Sequence, residues 1–294
     1  YIFHGTQNNG RVTQTKDHVS GEEVTYGYDE LNRLISAATT SNDWGLAWVF
    51  DGFGNRLQQN VTKGSAPALS VTVDGTRNRI TSSGFAFDDH GNMTARPGQT
   101  LSYDPAHRLE QVVDGSSGTT QFAYDSANKR IWKKNGSAEE FYFYGAQGEV
   151  LGAYKLVPDN QSPSTLRFQR LWTNEYFAGR MIKSQDKWVL TDRLGSVRYH
   201  EDRGRIRYYP YGEIRSEQYP NPSPPAMYAR PLYGTYTRDH DTNLDYADQR
   251  FDPGSVPGQR GSERAGELEP VRVCGRGSGE FWGSEWVVPG IGFP

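Results

Sequence analysis

The chain has 294 residues, a net charge of −3 and one cysteine, Cys274, so it holds no intrachain disulfide and no cysteine-based zinc cluster. That charge gives no electrostatic case for nucleic acid or for an anionic membrane surface, and no apolar run reaches the length of a membrane span. Hydrophobic residues make up only 35%, yet aromatics reach 13% and glycines number 33, a balance that points to an all-β chain with many turns rather than to disorder.

In chain order, a degenerate turn at Asn8-Asn9-Gly10-Arg11-Val12 opens the pattern. An aromatic residue, an aspartate, two free positions and then Gly, Asn or His follow repeatedly. The copies are Tyr28-Asp29 with Asn32, Phe50-Asp51 with Gly54, Phe87-Asp88 with Gly91, Tyr103-Asp104 with His107, and Tyr124-Asp125 with Asn128. Each predicts strand, turn, strand. The aspartate accepts bonds from backbone N–H groups ahead of it, and the third position after it takes a positive φ. Flanking aromatic and aliphatic residues suit strands, and Pro105 suits the turn after Asp104. Arginine follows as Arg33, Arg56, Arg108 and Arg130, read as strand-surface or cross-strand partners. Asp74 with Asn78 is an imperfect copy, the special residue falling one position late.

From Glu139 the pattern loosens. Tyr144 is followed by Gly145 in place of Asp, with Gly148 three on, and 157–165 reads as a loop. Asp192 with Gly195 restores the rule, then Tyr208-Tyr209-Pro210-Tyr211-Gly212-Glu213 precedes a proline-rich loop over 219–225. Asp239, Asp241, Asn243 and Asp245 alternate as calcium ligands do, but Leu244 and Arg250 stand where such a loop needs Gly and Glu. A turn is the expectation there, with Asn243 in the left-handed region.

The repeated turns resemble the YD repeats of the RHS-repeat family. The blocks Thr191–Arg198, Tyr209–Glu213 and Arg238–Phe251, in that order, resemble the end of a bacterial RHS core. The resemblance covers about residues 8–251. It implies an all-β fold of consecutive antiparallel hairpins forming a curled sheet, a segment of a shell. It also implies a non-enzymatic structural module of a large secreted or cell-surface bacterial protein, whose partner is the C-terminal effector of the parent chain enclosed by the shell.

Two regions are expected, 1–251 as the repeat sheet and 252–294 as a divergent tail. The last 43 residues hold ten Gly and five Pro but no Tyr or Lys. The tail reads as a frameshifted translation, a disordered linker or the start of an effector, and it offers no catalytic constellation. The chain opens without Met and is read as part of a longer polypeptide. No catalytic, cofactor-binding or metal residue is assigned, and no cofactor, nucleic acid or membrane insertion is expected. The residues singled out are structural: Asp29, Asn32, Asp51, Gly54, Asp88, Gly91, Asp104, His107, Asp125, Asn128, Asp192 and Gly195. The alternative is an adhesion or carbohydrate-binding module using Trp44, Trp48, Trp132, Trp172 or Trp188, separable by whether these rings face solvent.

Overall fold

A computed structural model describes residues 1–6, 10–162, 164–217 and 230–247, with the backbone alone at 251–252. The proline-rich loop and the tail expected from the sequence lie outside the described residues.

Every strand pairs antiparallel with its sequence neighbour, so the fold is a succession of hairpins. The ladder breaks into a seven-stranded sheet from Ile2 to Ser70, a two-stranded piece at 73–80, and a nine-stranded sheet from Ala86 to Thr173. A six-stranded sheet from Glu175 to Glu217 and a four-stranded sheet from Arg230 onward complete it, and none closes on itself. These are called the first sheet, the short ribbon, and the second, third and fourth sheets.

The repeated hairpins share one geometry. The aromatic before each aspartate pairs with the residue five positions after that aspartate, as Tyr28 with Leu34, Phe50 with Arg56, Phe87 with Met93, Tyr103 with Leu109 and Tyr124 with Arg130. The register shifts just before the aromatic each time, a β-bulge that twists the strands tightly. The same pairing and shift recur at Tyr144 with Val150, Thr191 with Val197 and Tyr208 with Ile214. Hence the Gly145, Asp192 and Tyr209 turns belong to the series.

Inside each turn, two backbone bonds close the loop: Asp29 N–H to Arg33 O at 3.0 Å and Asn32 N–H to Asp29 O at 3.1 Å. The third position has positive φ: 63° at Asn32, 87° at Gly54, 96° at Gly91, 61° at His107, 64° at Asn128 and 81° at Gly195. A β-carbon is tolerated there only where the side chain is one that visits this region readily, hence Asn and His beside Gly. One carboxylate oxygen of Asp29 accepts from Leu31 N–H (3.0 Å) and Arg33 N–H (2.8 Å), and Asp51, Asp104, Asp125 and Asp192 repeat that pair of bonds.

The residue four after the aspartate reaches forward to the next turn. Arg33 binds its own Asp29 at 2.6 Å, donates to the Asp51 carbonyl at 3.0 Å and lies 5.1 Å over the Phe50 ring. Arg108 does the same to Asp104, to the Asp125 carbonyl and to the Tyr124 ring. The tyrosine reaches back: Tyr124 O–H donates to Leu109 O (2.7 Å), Tyr144 to Arg130 O (2.7 Å) and Tyr103 to Met93 O (3.0 Å). Neighbouring turns are therefore clasped in both directions.

Arg56 and Arg130 sit one position later than Arg33 and Arg108, and a one-residue step in a strand reverses the face. They are buried, at 4% and 2% exposure, so of the two roles expected for the arginines, strand surface or cross-strand partner, the first does not hold for these two. The predicted loop at 157–165 is shorter than expected: strands run to Pro158 and resume at Leu166. Among the described residues the core forms four clusters, the largest centred on Trp44 and Trp48 of the first sheet and another on Leu101, Val112 and Phe122 of the second.

Candidate functional site

The last described segments fold back onto the two large sheets. The first contact is the Tyr209 turn. Tyr209 and Tyr211 project onto the first sheet, where they meet Trp44 and Trp48 edge to face at 5.2 and 5.0 Å between ring centroids. Such pairs add about 0.5–1.5 kcal/mol each beyond the area they bury. Tyr211 O–H donates to Leu34 O at 3.0 Å and Tyr209 O–H to Ser65 O at 3.1 Å, so neither buried hydroxyl is left without an acceptor. Arg56 lies 4.6 Å over the Tyr211 ring and 3.5 Å from Glu213, while Arg215 pairs with Glu22 at 2.6 Å.

The second contact is the loop 239–246 on the second sheet. Leu244, 1% exposed, enters the cluster of Leu101, Leu109, Val112 and Phe122. The Thr242 carbonyl accepts from Arg96 (3.1 Å) and Gln99 (2.8 Å), and the Asp241 carbonyl from Ser117 (2.5 Å). Asp239 is fully buried and turns the loop itself, accepting the N–H groups of Asp241 and Thr242. Its other carboxylate oxygen lies 3.1 Å from both Arg130 and Lys133. Arg130 is held between rings, 4.5 Å over Tyr142 and 4.6 Å over Tyr246, and its backbone N–H donates to the Tyr246 hydroxyl.

Electrostatics set the protonation of this cluster. Burial opposes the Asp239 charge, yet Lys133 and Arg130 outweigh it and hold the carboxyl below the usual range. Burial likewise opposes the Lys133 ammonium, and Asp239, Glu140 and Asp241 outweigh it in turn, raising its pKa. Asp239 and Lys133 are thus both in their charged forms at neutral pH. The arrangement therefore fastens rather than reacts, since a nucleophile would need a neutral lysine and a base to receive its proton.

The alternating acidic residues are engaged by cations of the chain: Asp239 as above, Asp241 by Lys133 at 2.6 Å, and Asp245 by a two-pronged bond from Arg238. Asn243 has φ 53°, and among the described residues no group of three His, Cys, Asp or Glu side chains is placed to hold a metal ion. The structural turn residues stay at the tips of separate hairpins, save where neighbouring turns touch, as His107 does through its bond to Asn92 and its ring contact with His90. Of the tryptophans, Trp44, Trp48 and Trp172 are buried, Trp132 is half-buried and donates to Glu139, and Trp188 is 56% exposed. Sequence reasoning missed the buried cluster of Arg130, Lys133 and Asp239. Its only signal was a lysine and an arginine three apart in an aromatic strand.

Comparison with known proteins places this architecture. Two curated proteins share 27% identity: over 140 residues the tRNA3(Ser)-specific nuclease WapA of Bacillus spizizenii, and over 139 residues the tRNA nuclease WapA of Bacillus subtilis. The matches cover 46% and 45% of the chain but 6% of each relative. Among solved structures, the TcdB2-TccC3-Cdc42 crystal structure matches at TM-score 0.57 and 19% identity. A Photorhabdus luminescens Tc holotoxin pore with a TccC3 point variant matches equally, and in both the likeness covers 80% of this chain and 14% of the other. The fold is thus that of RHS-type shell structures, of which this chain spans a small part. The teneurin YD-shell family model matches residues 5–244, which takes in the repeated hairpins, the Tyr209 turn and the loop from Asp239 as far as Leu244, and the chain belongs to that family.

Proposed function

We propose that this chain is a non-enzymatic section of the wall of a polypeptide-enclosing shell, within a larger bacterial protein that is secreted or carried on the cell surface. The observation that carries the reading is the double fastening of the chain's final segments, Tyr209 and Tyr211 on the first sheet and Asp239 to Tyr246 on the second. A wall of hairpins curls under its own twist, and these contacts hold separate sheets at a fixed inclination. The enclosed partner is the C-terminal effector of the parent chain, and residues 1–251 form the wall while 252–294 lie beyond it. Asp29, Asp51, Asp88, Asp104, Asp125 and Asp192, with their positive-φ partners, serve as hairpin tips.

The test is protease protection in the full-length parent protein. Its C-terminal polypeptide resists digestion while the wall is intact and becomes accessible when Tyr211→Ala and Arg130→Ala are combined. Digestion at the same rate in the intact protein and in the double variant sinks the reading.

A further inference from the structure

Between the first sheet and the hairpin of Val197–His200 and Gly204–Tyr208 lies a cleft of about 810 Å³, within the range of ligand sites. Its wall carries Arg11, Lys16, Arg193, Arg198, Arg207 and Arg215 against the carboxylates of Asp17, Glu22 and Asp192. In a chain of net charge −3 this is a local excess of positive charge. Four of the guanidinium groups rest on rings: Arg11 on Tyr28 (5.8 Å), Arg193 on Tyr1 (5.1 Å), Arg198 on Tyr208 (5.8 Å) and Arg215 on Trp44 (5.9 Å). A guanidinium laid on a ring keeps its planar fork of N–H donors at the edge, oriented for a carboxylate.

Most of the tyrosine hydroxyls at the cleft are already used inside the protein, Tyr26 sharing a bond with Thr15 Oγ1. Tyr28 donates to Val12 O, Tyr208 to Val197 O, Tyr209 to Ser65 O and Tyr233 to Pro210 O. Ring faces therefore line the cleft, and polar recognition falls to the cations. Arg215 is held by Glu22 at 2.6 Å, whereas Arg198, its side chain 47% exposed, stands 3.8 Å from Asp192. The interspersed carboxylates would repel the unbroken charge of a nucleic acid. They leave room for single charges separated by apolar groups.

We infer that this cleft binds an acidic stretch of polypeptide in extended form, its carboxylates on Arg193, Arg198 and Arg207 and its apolar side chains against the tyrosine and tryptophan faces. The inference rests on the reading of the chain as a wall around a polypeptide, and it names the character of the segment held there.

Fluorescence anisotropy of the full chain at low ionic strength tests it, with three labelled probes: a short peptide of alternating Glu and Ala, its Lys and Ala counterpart, and a short oligouridylate. The acidic peptide binds, and Arg193→Glu with Arg198→Glu weakens it by about tenfold or more. Arg170→Ala, which removes an exposed arginine outside the cleft, leaves binding unchanged, and circular dichroism melting verifies that both variants fold. A mixed Arg193→Ala, Arg198→Ala variant, expected to weaken binding less, stands in if the reversal unfolds the chain. Binding that is absent, that is indifferent to these substitutions, or that is tighter for either of the other probes overturns the inference. Peptide binding in a parent protein that fails the protease test would overturn the enclosure and leave the cleft standing. Protease protection without peptide binding would do the reverse.

Discussion

At Gly145 the turn aspartate is missing, yet the turn is intact: Gly145 N–H reaches Glu149 O at 2.9 Å and Gly148 N–H reaches Gly145 O at 3.0 Å. The Glu149 carboxylate folds back into the vacated space, where a β-carbon on Gly145 would meet it, and accepts Gln147 N–H at 3.0 Å. That is the bond an aspartate makes elsewhere to the residue two ahead. Glu149→Ala is expected to destabilise the chain by about 1–2 kcal/mol, and adding Gly145→Asp to restore most of it, because residue 145 has no positive φ to forbid a side chain. Urea denaturation of the two single variants and the double measures the coupling, and purely additive losses would refute the exchange. This much was partly visible in sequence. The positive-φ residues and their spacing follow from residue type alone, whereas a glutamate four positions away replacing an aspartate requires knowing where the backbone folds.

At the scale of the element, the bulge before each aromatic decides everything else. It sets Tyr124 opposite Arg130 and so buries Arg130 while leaving the adjacent Lys129 half-buried. A hairpin is predictable from its turn, but the bulge is a choice of the ladder, and without it the arginines at the two offsets look equivalent. The forward reach of Arg108 and the backward reach of Tyr124 span one clasp, so their loss should be felt locally. Arg108→Ala and Tyr124→Phe are each expected to cost about 1 kcal/mol. They should speed amide hydrogen exchange over the two hairpins 99–114 and 118–135 while leaving the first sheet unchanged. Exchange that quickens evenly along the chain would contradict a nearest-neighbour clasp.

For the whole molecule, two buried groups make stability depend on acid in separate windows. Burial, with Arg203 beside it, holds the His200 imidazole down at about 4, against an ordinary value near 6.5. The unfolded chain therefore takes up this proton first as pH falls, so stability declines from about pH 6.5 to about pH 4 and no further from this group. Asp239 has a folded pKa below its unfolded value of about 3.9, so its contribution is present above that value and is lost as pH falls below it. Thermal melts across pH should show His200→Gln flattening the upper limb while keeping the lower one, and an unaltered upper limb would remove His200 from the account. Neither group stands out in the sequence as buried. His200 is one of six dispersed histidines and Asp239 one aspartate among three in a turn, and what distinguishes them is depth, which only the assembled sheets define.

The two-way clasp between neighbouring turns also has a mechanical meaning. Each clasp joins only adjacent hairpins, so a pull on the free edge strand Leu166–Thr173 loads one rung at a time, and the sheet should peel strand by strand under low, repeated force. The fastenings at Tyr211 and Asp239 join residues far apart in sequence, 177 positions for Tyr211 with Leu34 and 109 for Asp239 with Arg130. Tension applied between the ends of the chain must break these before the strands enclosed between the joined residues can peel, which makes them the rip-stops of a fabric that is otherwise easy to unravel.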